Sequence, residues 1–123
     1  MTEELADARR ARLRALCLAM PEATCRGGQH LRFEVRGRTF GYYLDDHHGD
    51  GITAFSGKVG PGENDLLARL HPGRFYIPSY TGPRGWVALR LDLRELDWGE
   101  LAELVATSYR LVAPKRLAGR AGS

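Results

Sequence analysis

Between Leu31 and Leu44 the chain changes character at nearly every residue. Leu31, Phe33 and Val35 are apolar and Arg32, Glu34 and Arg36 charged, and after Gly37 the alternation resumes through Phe40, Tyr42 and Leu44. Successive side chains of a strand point to opposite faces, so this period of two specifies a half-buried β-hairpin turned at Gly37, with Phe40, Tyr42 and Leu44 expected on one face. A helix through the same residues would bury charge. The hairpin's apolar face needs a cover, and the flanking segments can supply one. Leu13, Leu16, Cys17 and Met20 recur at spacings of three and four in a helix expected from about Thr2 to Met20, where Pro21 ends it. Near the other end, Asp97 with Glu100 three positions on reads as a capping box. It opens a helix whose inner face carries Leu101, Leu104, Val105, Ser108, Leu111 and Val112.

The stretch between supplies a third strand at Ile52 to Ser56, a short helix from Glu63 to Leu70, and strands at Arg74 to Ile77 and Trp86 to Leu91. The last two are joined by a loop stiffened by Pro78 and Pro83 and bent at Gly82 and Gly85, which is expected to be ordered. The order is α-β(3)-α-β(2)-α. It implies a two-layer α+β domain, one five-stranded antiparallel sheet covered on one face by helices. With 123 residues, 43% hydrophobic and 27% charged, the chain fits a single domain spanning 1–123. An ordered core is expected over about 3–117, followed by a basic tail over 118–123.

No apolar run is long enough to cross a membrane and no secretory pattern opens the chain, so a cytoplasmic monomer is expected. Cys17 falls on a buried helix face and Cys25 in a loop, which is not a disulfide or metal framework. The formal charge is +3, and sixteen of the eighteen basic residues are arginine. That balance permits a polyanionic partner without requiring one.

The element order, together with Pro72-Gly73-Arg74-Phe75, Gly85-Trp86-Val87, Leu91-Asp92-Leu93, Asp97-Trp98 and the closing Ser108-Tyr109-Arg110-Leu111-Val112-Ala113-Pro114-Lys115, resembles the MmcQ/YjbR family from Leu13 to about Leu117. The resemblance implies the same fold with a doubled wing-like layout of strands, and it implies DNA binding, the role commonly given to members. Some members occur in antibiotic-producing pathways, which implies a drug-binding or self-resistance role as the alternative. Where relatives carry an aromatic and glycine pattern after the first helix, this chain has Thr24-Cys25-Arg26-Gly27-Gly28-Gln29-His30.

Two candidate sites follow. For DNA, the hairpin arginines Arg32, Arg36 and Arg38, with Lys58 and Arg84, would contact phosphates, and Arg9, Arg10, Arg12 and Arg14 offer a second basic face on the first helix. For a small aromatic ligand, Tyr43, Phe55, Tyr76, Tyr80 and Trp86 would form a pocket on the less covered face of the sheet. Asp45, Asp46, His47, His48 and Asp50 read as turn chemistry rather than a metal site. Ser108 is expected to bond to a carbonyl one turn back in its own helix. No nucleophile elbow, phosphate-binding loop or dinucleotide motif is present, so neither catalysis nor a cofactor is expected.

Overall fold

The computed structural model, which describes residues 1–121, turns the hairpin at Arg36 and Gly37. Both adopt positive φ, 50° and 78°, as a two-residue hairpin loop matched to strand twist demands. The elements are helix α1 (Glu3–Leu18), strands β1 (Thr24–Gly27), β2 (Leu31–Val35), β3 (Arg38–Asp45) and β4 (Thr53–Lys58), helix α2 (Glu63–Leu70), strands β5 (Phe75–Tyr76) and β6 (Trp86–Arg90), and helices α3 (Trp98–Val112) and α4 (Lys115–Ala118). The strands form one antiparallel sheet in the order β1-β2-β3-β4-β6-β5.

The sheet therefore has six strands rather than five. Thr24 to Gly27, expected as a loop, pairs with β2 from Thr24 opposite Glu34 to Gly27 opposite Leu31. Its four residues are too short and too polar to show a period. The pairing nevertheless satisfies backbone groups that would otherwise leave β2 as an open edge. Gly27 makes the turn possible: its φ is 126°, and a Cβ there would sit 2.1 Å from the His30 carbonyl oxygen.

A β-bulge divides β3. Phe33 pairs with Gly41 and Glu34 with Thr39, so Phe40 is an extra residue on the bulged strand. Beyond it the alternation is shifted by one. Phe40 and Tyr43 enter the helix-covered core, 0% and 2% exposed, while Tyr42 and Leu44 face the other side. The expected sharing of one face by Phe40, Tyr42 and Leu44 fails for this reason. On the core side, Phe33, Phe40, Phe55, Val87 and Leu89 pack with Leu13 and Cys17 of α1 and Leu101, Val105 and Tyr109 of α3. Burial pushes the Cys17 thiol pKa far up, consistent with a packing role.

Gly41 and Gly57 are paired neighbours in β3 and β4, and both are short of space. A Cβ at Gly41 would lie 2.5 Å from the Phe55 ring, and one at Gly57 would lie 3.1 Å from Ser108 Cβ. Phe55 is fully buried and cannot swing away. Gly41→Ala is expected to destabilise the fold by about 1–3 kcal/mol, the usual cost of overpacking, read as a lower urea midpoint with an unchanged m-value.

Three helical expectations are corrected. Ser108 does not bond within α3. Its hydroxyl donates to the Phe40 carbonyl on β3 at 2.5 Å and accepts from the Lys58 backbone N–H on β4 at 2.7 Å. Leu111 is 47% exposed, and Tyr109 takes the buried position instead. Asp97 caps α3 by accepting from the Glu100 N–H, but the Glu100 carboxylate pairs with Arg74 rather than closing a capping box. After Pro114 the chain forms α4, and Leu117 and Ala121 join the core. The last part of the expected basic tail, Gly122 and Ser123, lies outside the described residues.

Candidate functional site

Strand register places Tyr42, Ser56, Ala88 and Tyr76 in one row across the sheet, on the face away from α1 and α3. Tyr42, Ser56 and Tyr76 of this row, with Leu44, floor a cavity of about 420 Å³. One wall is the turn after β3, bearing His47, His48 and Asp50. The opposite wall is the segment Ile77 to Thr81, the proline loop read from the sequence.

Both walls are held by their own hydrogen bonds. Asp46 Oδ1 accepts from the Gly51 N–H at 2.6 Å and Asp50 Oδ1 from the Ile52 N–H at 2.8 Å, so these carboxylates fix the turn. Asp46 and His48 sit at positive φ, 53° and 59°. The His47 ring packs against His48, centroids 4.0 Å apart, and edge-on to His30 at 5.3 Å. Partial burial and these neighbouring imidazoles push the His47 pKa below its ordinary 6.5. Across the cavity, the Gly82 N–H donates to the Pro78 carbonyl at 3.0 Å. The buried Asn64 amide of α2 donates to the carbonyls of Gly82 and Trp86 at 2.9 and 3.1 Å. The loop is thereby fastened to both α2 and β6.

The floor holds an unusual group. Ser56 is 1% exposed, and its hydroxyl has no hydrogen-bond partner among the described residues. Buried hydroxyls without partners are uncommon because each costs about 1–3 kcal/mol. Tyr76 lies beside it in the sheet, separated only by Ala88, and burial raises its phenol pKa to about 12, so it is a neutral donor at physiological pH.

A second cavity, of about 390 Å³, adjoins the first and shares Tyr42 and Thr81 with it. Trp86 lies on its floor, 5.7 Å from the Tyr42 ring centroid, and Arg38, Lys58 and Arg84 stand around it. None of these three cations forms an ion pair with a carboxylate among the described residues.

The aromatic set expected from the sequence is divided by the sheet. Tyr76, Tyr80 and Trp86 are on the outer face, Tyr80 at the mouth and 77% exposed. Tyr43 and Phe55 are core residues on the helix side, because the bulge reverses β3 and Phe55 is registered opposite Tyr43. Tyr42 and Ser56 stand in the positions expected for Tyr43 and Phe55. The period-two pattern of β4, with Phe55 apolar and core-facing, could have pointed to Ser56; nothing in the sequence announces the bulge that exposes Tyr42.

The basic set is also divided. Arg36 is held by Glu22 in a bidentate pair at 2.6 and 3.0 Å. Arg32 lies over the Tyr42 ring, 5.7 Å from its centroid. Only Arg38, Lys58 and Arg84 converge. On α1, Arg9 is buried against backbone carbonyls, Arg10 donates to the Gly28 carbonyl, and Arg12 stacks on Trp98 at 4.1 Å. These three dock the helix.

The YjbR family model matches residues 18–111, a span that includes every residue of both cavities except Val112. The chain belongs to the YjbR family. A solved structure of a Deinococcus radiodurans protein with a DUF419 domain is similar to this YjbR chain, at 25% identity and a TM-score of 0.68, covering 83% of this chain and 76% of that one. No curated protein matches this YjbR chain. No helix among the described residues is long and apolar enough to cross a membrane.

Proposed function

We propose that this YjbR protein binds a small aromatic molecule in the outer-face cavity and performs no chemistry on it. The observation that carries the reading is the buried Ser56 hydroxyl, unpartnered on the floor of a cavity of about 420 Å³. A volume in the range of about 300–1,000 Å³ suits a drug-sized molecule, and the orphaned hydroxyl beneath it, closed to solvent as the floor stands, is a hydrogen-bonding group that a ligand reaches by a small shift of the floor. Tyr42 and Tyr76 supply faces for stacking, and Tyr80 can close over the mouth. A DNA-binding reading would rest on the basic groups, but Arg36 is already paired and Arg9, Arg10 and Arg12 of α1 are engaged in packing. The three that converge, Arg38, Lys58 and Arg84, surround a concavity that a duplex backbone would span rather than enter.

The test is Ser56→Val. Valine suits a strand, removes the unsatisfied hydroxyl and occupies cavity volume. With phenylnaphthylamine, a neutral aromatic probe, the unaltered protein is expected to bind and to quench Trp86 emission in a Trp98→Phe background. The Ser56→Val protein should bind at least about tenfold more weakly while melting at the same or a higher temperature. Equal binding by the two proteins would overturn the reading, as would binding to duplex DNA by a protein that ignores the probe.

A further inference from the structure

We infer that the ligand carries an anionic group, a carboxylate, sulfonate or phosphate, on its planar ring system, and that this group is held in the second cavity by Arg38, Lys58 and Arg84. The inference rests on the proposed ring site and extends it. The two cavities meet at Tyr42 and Thr81, so a single molecule lying over Tyr42 reaches both.

The two compartments differ in chemistry. The first offers Tyr42, Leu44, Tyr76 and Ile77 with one buried hydroxyl; the second brings three cations together beside the Trp86 ring. Four arginines elsewhere on this chain find carboxylates. Arg26 pairs with Glu34, Arg36 with Glu22, Arg74 with Glu100 and Arg90 with Asp92, all through contacts of 2.6–2.9 Å. Arg38, Lys58 and Arg84 have no such partner among the described residues, although like charges around one concavity repel. An anion placed between them removes that repulsion and accepts charge-assisted hydrogen bonds, with the guanidinium forks suited to a planar carboxylate or a tetrahedral oxyanion.

Their positions are built rather than incidental. Lys58 is fixed at the end of β4 opposite Trp86, and its own backbone N–H is held by Ser108. Arg38 opens β3 immediately after the hairpin turn. Arg84 ends the single helical turn of the proline loop, whose next residue, Gly85, takes φ 88°. Arg32 over Tyr42 extends the cationic edge along the outer face.

The test compares phenylnaphthylamine with anilinonaphthalene sulfonate, which has the same two ring systems plus one sulfonate. Titrations at low salt are expected to show the sulfonate binding at least about tenfold more tightly, with the advantage shrinking as salt is added. In Arg38→Gln/Lys58→Gln/Arg84→Gln the two probes should bind about equally, at the affinity the neutral probe has for the unaltered protein. All three side chains reach solvent, so the variant is expected to retain its circular dichroism and melting temperature. If the neutral probe binds and the sulfonate is no tighter, or if the advantage survives in the triple variant, the anion site is wrong while the ring site stands. If neither probe binds, the ring site fails as well.

Discussion

Arg9→Ala is expected to lower stability by about 3 kcal/mol, seen as a fall of roughly 10 °C in melting temperature for a chain of this size. The expectation follows from where the guanidinium ends. Arg9 is 8% exposed, and it donates to the carbonyls of Leu91 at 2.7 Å, Leu93 at 2.5 Å and Arg94 at 3.2 Å. Those carbonyls belong to the segment where the chain leaves β6 on its way to α3. There the Leu91 N–H still donates to the Thr53 carbonyl, but among the described residues no backbone N–H donates to those three carbonyls, and the fully buried Leu91 requires the segment to pass close to the core. One rigid fork satisfies three acceptors and ties the N-terminal helix to the exit of the sheet. Hydrogen bonds from a charged donor contribute about 1.5–3 kcal/mol each when geometry is good, and part of the loss would be recovered by water reaching Leu93 and Arg94. Arg9→Lys separates shape from charge. A lysine keeps the charge but offers a point donor in place of the fork, so it should recover less than half of the lost stability. Full recovery by lysine would show that charge alone matters there.

The arginine-rich α1 illustrates what a sequence does and does not disclose. Its apolar spacing correctly places Leu13 and Cys17 in the core, since a helix of period 3.6 leaves them no other face. The same reading assigns Arg9, Arg10, Arg12 and Arg14 to a solvated face. Three of them instead bond to backbone or stack on Trp98 across distances of up to 86 residues in sequence. Acceptors of that kind are created by loops, and loops have no period. The sheet divides in the same way. Leu31, Phe33 and Val35 alternate and are buried as expected, whereas one inserted residue at Phe40 exchanges Tyr42 and Tyr43 between faces. Tyr76, Tyr80 and Trp86 are legible as outer-face residues because they flank a proline loop whose stiffness is written in its residues. The alternation of β4 can place Ser56 on that face, but not show that its hydroxyl is unpartnered, because a serine in a strand declares itself only when the partner it lacks can be counted.

Ser108→Ala is expected to cost about 2–4 kcal/mol, two buried groups losing their partner at about 1–3 kcal/mol each with some relaxation, and to weaken ligand binding as well. Ser108 is fully buried and joins α3 to two strands at once. It donates to the carbonyl of the bulge residue Phe40 and accepts from the N–H of Lys58. The Phe40 carbonyl is at the point where β3 falls out of register with β2, so the bulge depends on a hydroxyl from outside the sheet. That bulge is what turns Tyr42 toward the cavities and Tyr43 toward the core. Lys58, the other partner, carries one of the three cations. Alanine leaves both backbone groups dry and unpaired, and amide hydrogen exchange at Lys58 should accelerate well beyond what the global loss of stability explains. Threonine restores the hydroxyl but adds a methyl beside Gly57, where a Cβ would already lie 3.1 Å from Ser108 Cβ, so it should restore little. A Ser108→Ala protein that binds phenylnaphthylamine as well as the unaltered chain, at temperatures where both are folded, would show that the bulge holds without its brace and that Tyr42 owes its orientation to the strand alone.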